Sequence, residues 1–206
     1  MKKYITSVAI LAVGFGTLFA REIKLSVTPG ANWKSKMEAQ SAIWVEDLKG
    51  NYITTLYVTN KAGNKNWIFG PKEGRPESLP VWYHASKVAP DKSAKEDDAN
   101  VQLDAVSSAT QKSGINITRN IPDSDCVIKA EFNTSFDYNE SYTKKNSGVN
   151  GQPSVIYGAK IGINNTNQVN LEFLGTGSLE GSDGNIHQNA QGITTAKSIV
   201  KEIIVK

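Results

Sequence analysis

One cysteine, two histidines and no long apolar run beyond the first twenty residues exclude much of what a chain of 206 residues could be. A lone Cys126 cannot close an internal disulfide, and in an oxidising compartment such a thiol is safest as a buried core residue. His84 and His187 fall in distant segments, and C-x-x-C, C-x-x-C-H and H-E-x-x-H patterns are lacking, which argues against a zinc centre or an attached haem. Neither G-x-S-x-G nor a P-loop occurs. Gly175-Thr176-Gly177-Ser178-Leu179-Glu180-Gly181 resembles a dinucleotide loop only superficially, since no helix pattern follows it. Charge of one sign is scarce as well. There are 23 Lys+Arg against 20 Asp+Glu, for a formal +3. Without Lys2 and Lys3 the balance is 21 to 20, too even to draw the chain to nucleic acid.

What is present begins with a leader. MKKYITSVAILAVGFGTLFA has two lysines, then 17 uncharged residues from Tyr4 to Ala20, then Arg21-Glu22. This is the layout of a secretory signal peptide. A membrane span needs about 20 apolar residues, and Gly14 and Gly16 interrupt this shorter stretch. The reading is removal after Ala20, a signal peptide at 1–20 and a single domain at 21–206 in the periplasm or another extracytoplasmic space. Leu18 is large for the position three before the cut, which leaves a retained anchor as the alternative.

The mature portion alternates apolar and polar residues. Glu22 to Thr28 places Ile23, Leu25 and Val27 on one side of a half-buried strand. Ser41 to Glu46 and Tyr52 to Thr59 form a hairpin, with Asp47-Leu48-Lys49-Gly50-Asn51 supplying the turn. Further strands are expected at Ile115–Thr118, Cys126–Phe136, Ser154–Ile163, Val169–Leu174 and Ile203–Val205. A short helical turn is expected over Thr194–Val200. The expected fold is an all-β, immunoglobulin- or fibronectin-like antiparallel sandwich. Gly63 to Asn100 differs: it holds four of the seven prolines, Trp67, Trp82-Tyr83-His84 and a charged run. It reads as one long aromatic loop, with at most a short helix near Trp82. Its rings either plug an open end of the sandwich or anchor an envelope partner. Asp137, Tyr138, Glu140 and Tyr142 form an acidic-aromatic strip, read as a solvated loop in preference to a calcium site.

Asp104-Ala105-Val106-Ser107-Ser108-Ala109-Thr110 is the most informative stretch. It resembles the D-x-x-[ST]-[GS]-A-T acceptor motif of proteins that receive FMN from an extracytoplasmic flavin transferase, through a phosphoester to the threonine hydroxyl. The resemblance implies Thr110 as the modified residue and Asp104, Ser107, Ser108 and Ala109 as recognition positions, with a flavin transferase as partner. The same residues are good turn formers, and in that reading they only satisfy local backbone groups.

A wider resemblance is carried by Ala42 to Tyr52, Arg75 to Trp82, Asp104 to Gly114, Ser135 to Glu140, Gly151 to Ser154 and Ile193 to Ala196. These pieces are similar to a family of bacterial predicted periplasmic proteins of unknown function. What that resemblance implies is a periplasmic β-sandwich associated with flavin-transfer and electron-transfer systems. The expected function is a non-enzymatic accessory or binding protein without a cofactor. The alternative is an electron carrier with covalent FMN on Thr110, which would be its redox group. No nucleophile and base can be paired on the sequence, so hydrolysis ranks behind both.

Overall fold

The computed structural model describes residues 20–33, 38–63, 75–88 and 113–206, together with the backbone of Ser107–Ser108. The leader except Ala20, Trp67 and most of the acceptor stretch lie outside the described residues.

Among the described residues ten strands form two layers: β1 (Ala20–Pro29), β2 (Gln40–Glu46), β3 (Tyr52–Thr59), β4 (Ser107–Ser108), β5 (Ile115–Pro122), β6 (Cys126–Asn133), β7 (Val155–Ile161), β8 (Val169–Asn170), β9 (Glu172–Thr176) and β10 (Val200–Val205). One sheet has the order β5-β1-β10-β8 and the other β4-β3-β2-β6-β7-β9. All pairs are antiparallel except β3 with β4. The all-β sandwich expected from the alternation is the architecture found.

Alternation decides which side chains meet between the layers. Ile23, Leu25 and Val27 of β1 face Ile43, Val45, Ile128, Ala130 and Phe132 from the other sheet in one buried core. Cys126 lies in this core, fully buried, and desolvation pushes its thiol pKa up. Arg21 closes one end of the sandwich: its guanidinium donates to the carbonyls of Gly162 at 2.6 Å and Ile163 at 2.9 Å, at the far end of β7. Arg119 of β5 donates to the Leu56 carbonyl at 2.9 Å and ties the two sheets along one flank.

Three readings need correction. The run Val169–Leu174 is not one strand. It breaks at Leu171, whose amide bonds the Ile203 carbonyl, so that β8 joins β10 in one sheet while β9 joins β7 in the other. An unbroken apolar pattern carries no mark of a change of sheet. The helical turn expected before the last strand is found, as a 3-10 turn at Thr195–Ser198, but the strand begins at Val200, earlier than the expected Ile203.

The described part of the aromatic connection holds the short helix expected near Trp82, but it is not an end plug. Pro80–Val88 is a nine-residue helix, α2, preceded by a short α1 (Asn60–Gly63) and a 3-10 turn at Pro76–Ser78. Pro80 supplies a fixed φ at the first helical position. The helix lies on the outer face of the six-stranded sheet, where Leu79, Val81 and Trp82 pack on Ala42, Trp44, Val58 and Ile156 as a second core.

Candidate binding end

β1, β3 and β6 finish at one end of the sandwich, and β2, β5, β7 and β10 start there. The loops that meet at this end come from both layers. Asn32 follows β1 and Thr195 precedes β10, in the four-stranded sheet. Asp137 follows β6 and Gln152 precedes β7, in the six-stranded sheet.

Asp137 is their hub. One carboxylate oxygen accepts from Asn32 Nδ2 and Gln152 Nε2, both at 2.9 Å; the other accepts from Thr195 Oγ1 at 2.7 Å. Gln152 extends the network, its Oε1 accepting the Thr194 amide at 2.6 Å. Asn139 Nδ2 donates to the Gly192 carbonyl at 2.8 Å and to Thr194 Oγ1 at 3.0 Å. The Asp137 backbone is paired too, in a parallel bridge with Gly151 and through its carbonyl to the Gln152 amide at 3.0 Å. Gly151 has φ +75°, and a Cβ there would stand 2.5 Å from Asp137 backbone atoms, so glycine is required. Asp137 is therefore no solvated residue of an acidic strip. It is 8% exposed and joins the two layers.

Beside it stands Phe136, with φ +64°. This is the left-handed region, rarely occupied by a bulky residue and costing on the order of 1 kcal/mol or more. Its amide donates to the Val149 carbonyl at 2.8 Å, which holds the turn, yet the ring is 37% exposed and Val149 beside it is exposed as well. Tyr138 packs edge-on to Phe136 with centroids 6.4 Å apart, and its hydroxyl donates to the Gly148 carbonyl at 2.7 Å. On the flank, Arg75 donates to Ser135 Oγ and Asn150 Oδ1 and pairs with Glu77 at 2.8 Å. A locked loop thus presents an aromatic and aliphatic surface to solvent.

Four of the pieces that carried the family resemblance meet here: Arg75 with the turn after it, Ser135 to Glu140, Gly151 to Ser154, and Ile193 to Ala196. The acceptor motif is only partly visible. Asp104, Ala109 and Thr110 lie outside the described residues. The backbone of Ser107–Ser108 pairs in parallel with Val58–Thr59, as the outermost strand of the six-stranded sheet. β3 runs toward the Phe136 end, so the motif's described residues lie beside the last residues of that strand.

The second unexpected group is Glu131, wholly buried on the outer face of β6 under α2. It accepts from Ser154 Oγ at 2.6 Å, from the Trp82 amide at 2.8 Å and from the Val81 amide at 3.3 Å. Desolvation raises its pKa to about 7, against the lowering effect of those three donors. Gly177 packs against the same spot, where any Cβ would press into Ser154 Oγ and the Pro80 ring, which accounts for a glycine in the segment that mimicked a dinucleotide loop.

Both histidines contact the loop from Ser178 to His187. His84 Nε2 lies 3.0 Å from the Gly181 carbonyl, and His187 Nε2 lies 3.1 Å from Asp183 Oδ1. The sequence places them in distant segments, and their common loop shows only once α2 is in place. The Asn185 amide, and after it His187, holds the Asp183 pKa below its ordinary value. Among the described residues no three His, Cys, Asp or Glu side chains are grouped so as to hold a metal ion, and no helix is long and apolar enough to cross a membrane. Trp82, expected on a loop as a partner anchor or plug, is 4% exposed and donates its indole N–H to Thr55 Oγ1 at 2.9 Å. Tyr83 is partly exposed.

Comparison with protein-family models, with curated proteins and with solved structures finds no match to the chain.

Proposed function

We propose that this is a non-enzymatic periplasmic accessory or binding protein that serves an extracytoplasmic redox system and engages an envelope partner through the Phe136 end of the sandwich. The observation that carries this reading is the Phe136 backbone. A phenylalanine held at φ +64° with its ring partly in solvent is a costly arrangement, and such strain is retained where a surface must be shaped in advance. Binding to a rigid surface loses less conformational entropy than binding to a mobile one. The leader supports the compartment, and the wider resemblance supports the redox association.

Phe136→Gly separates binding from packing, because glycine adopts this conformation without strain. The expected result is an unchanged or slightly higher melting temperature, together with loss of the envelope protein recovered by the wild-type chain in a pull-down. Equal recovery by the variant would mean that the ring only packs on its neighbours.

A second reading rests on the resemblance of Asp104–Thr110 to the acceptor motif, whose Ser107–Ser108 backbone forms the outermost strand of the six-stranded sheet. In it, FMN is attached to Thr110 by a flavin transferase, and the protein carries electrons. Coexpression with such a transferase should add the mass of an FMN phosphoester, and Thr110→Ala should abolish it. An unmodified mass in the wild-type chain under those conditions removes this reading.

A further inference from the structure

The outermost strand of a sheet offers unpaired amides and carbonyls to any other chain, and natural sheets counter this by shortening, bulging or covering that strand. Here the outermost strands are β5 and β8 in one sheet and β4 and β9 in the other. β4 and β8 span only two residues each. β9 carries a register shift against β7, and His187 bridges its Thr176 on the far side through bonds of 2.9 and 2.8 Å. β5 has none of these devices. It runs for 8 residues, and its pairing with β1 is unbroken from Ala20↔Pro122 to Val27↔Ile115. Among the described residues no strand pairs with its other edge.

The neighbouring pair fixes where the backbone groups of β5 point. Lys24 and Lys206 exchange both backbone hydrogen bonds at 2.9 Å, so the amide and carbonyl of Lys24 face β10. Successive residues of a strand turn these groups to opposite sides, so Ile23 and Leu25 turn theirs to Arg119 and Ile117 of β5. The amides and carbonyls of Asn116, Thr118 and Asn120 are left pointing away from the sandwich. The Thr118 carbonyl takes one bond from Arg119 Nη1 at 3.0 Å and keeps its second lone pair. Nor does charge guard this edge. Arg119 is the one charged residue of β5, and its guanidinium is drawn back to the Leu56 carbonyl.

We propose that β5 is a dimerisation edge: two copies of the chain join by antiparallel β5–β5 pairing about a two-fold axis at Thr118, which merges their four-stranded sheets into one. The strand itself sets the register. With Thr118 opposite its own copy, Asn116 of each chain meets Asn120 of the other, and every outward amide and carbonyl of these residues gains a partner. Threonine opposite threonine is a favourable cross-strand pair, and on the other face Ile117 meets Arg119, so no like charges oppose each other. Moving the axis to Arg119 sets that charge against itself. Moving it to Ile117 leaves outward groups of Asn120 unpaired. The contact uses the same surface on both copies and so closes at a dimer.

Sedimentation of the purified protein, combined with hydrogen exchange at Asn116, Thr118 and Asn120, tests this. A contact of this small size is expected to have a dissociation constant on the order of 10 µM, so the mass should double between about 1 and 100 µM. The amides should gain protection in step with the mass. Thr118→Lys brings two lysines face to face at the axis and should keep the mass at that of one copy throughout; Thr118 is exposed, so the core is undisturbed. Thr28→Lys, exposed on the same face but on β1, should dimerise as the wild type does. A wild-type chain that stays monomeric over the whole range overturns the proposal. A dimer that survives Thr118→Lys, or one whose β5 amides exchange freely, does the same. Protection of those amides in a monomer would show that the chain itself covers the edge, and overturns it too.

Discussion

Asp137→Ala is expected to lower the unfolding free energy by about 3–4 kcal/mol and the melting temperature by roughly 10 °C. The carboxylate receives three side-chain hydrogen bonds, from Asn32, Gln152 and Thr195. Hydrogen bonds to a charged group contribute about 1.5–3 kcal/mol each; removing their common acceptor strands the buried Asn32 amide, while Gln152 Nε2 keeps Thr195 Oγ1 and Thr195 itself reaches solvent. The sum is not additive, which is why the figure stays below three full bonds. Asp137→Asn keeps an acceptor oxygen and should cost roughly half as much. Denaturant unfolding of the three proteins in parallel measures both effects. A loss under about 1 kcal/mol for the alanine variant would mean that the loops hold together without their hub.

Raising the pH from about 4.5 to about 7 is expected to weaken the fold by on the order of 3 kcal/mol through Glu131 alone. The sign follows from proton counting. Between the ordinary carboxyl value of 4.5 and the folded value of about 7, the native state holds a proton that the unfolded state has released. Protonation therefore favours folding at the acidic end, and that advantage is gone once the pH passes the folded value. Asp47, Asp125 and Asp183 act in the opposite sense and in another window. Hydrogen bonds led by the Asn51 side chain, the Ile163 amide and the Asn185 amide lower their pKa values, so their contribution is kept above the ordinary 3.8 and lost only as pH falls below it through the lowered folded values. Urea unfolding at successive pH values should show a decline across pH 5 to 7 that is absent in Glu131→Gln. A flat wild-type profile over that interval would contradict the burial argument.

Local pattern made the strands legible and left the site hidden. Tyr52–Thr59 has the boundaries read from its β-branched and aromatic run, and Ile23, Leu25 and Val27 point inward as their alternation requires, because one buried face imposes a period of two on any strand that lines it. Cys126 sits in the core for the same reason. The Asp47–Asn51 turn is held by the Asp47 carboxylate, which accepts from the Lys49 and Asn51 amides, as the chemistry of that segment suggested. Asp137, by contrast, has partners 105 residues upstream and 58 downstream, and no local signal distinguishes it from a solvated acid. Gln152 is equally anonymous. The glycine before it was the available clue, since a glycine beside a buried amide side chain marks close backbone approach. Glu131 alternates correctly for an outward-facing residue of β6. That its outward face is covered depends on α2, whose docking rests on Trp44 and Trp82 meeting across nearly forty residues of sequence.

The Phe136 end depends on loops that are as fixed as the strands they join. The Phe136, Gln152 and Thr194 amides lie outside the regular strands and donate to the Val149 carbonyl, the Asp137 carbonyl and Gln152 Oε1. Hydrogen exchange of these three amides measures that fixity. Protection within about tenfold of the β2 and β6 amides is the result expected of a binding end built in advance. Exchange at the rate of an unstructured peptide would show the end to be mobile and would contradict the central claim.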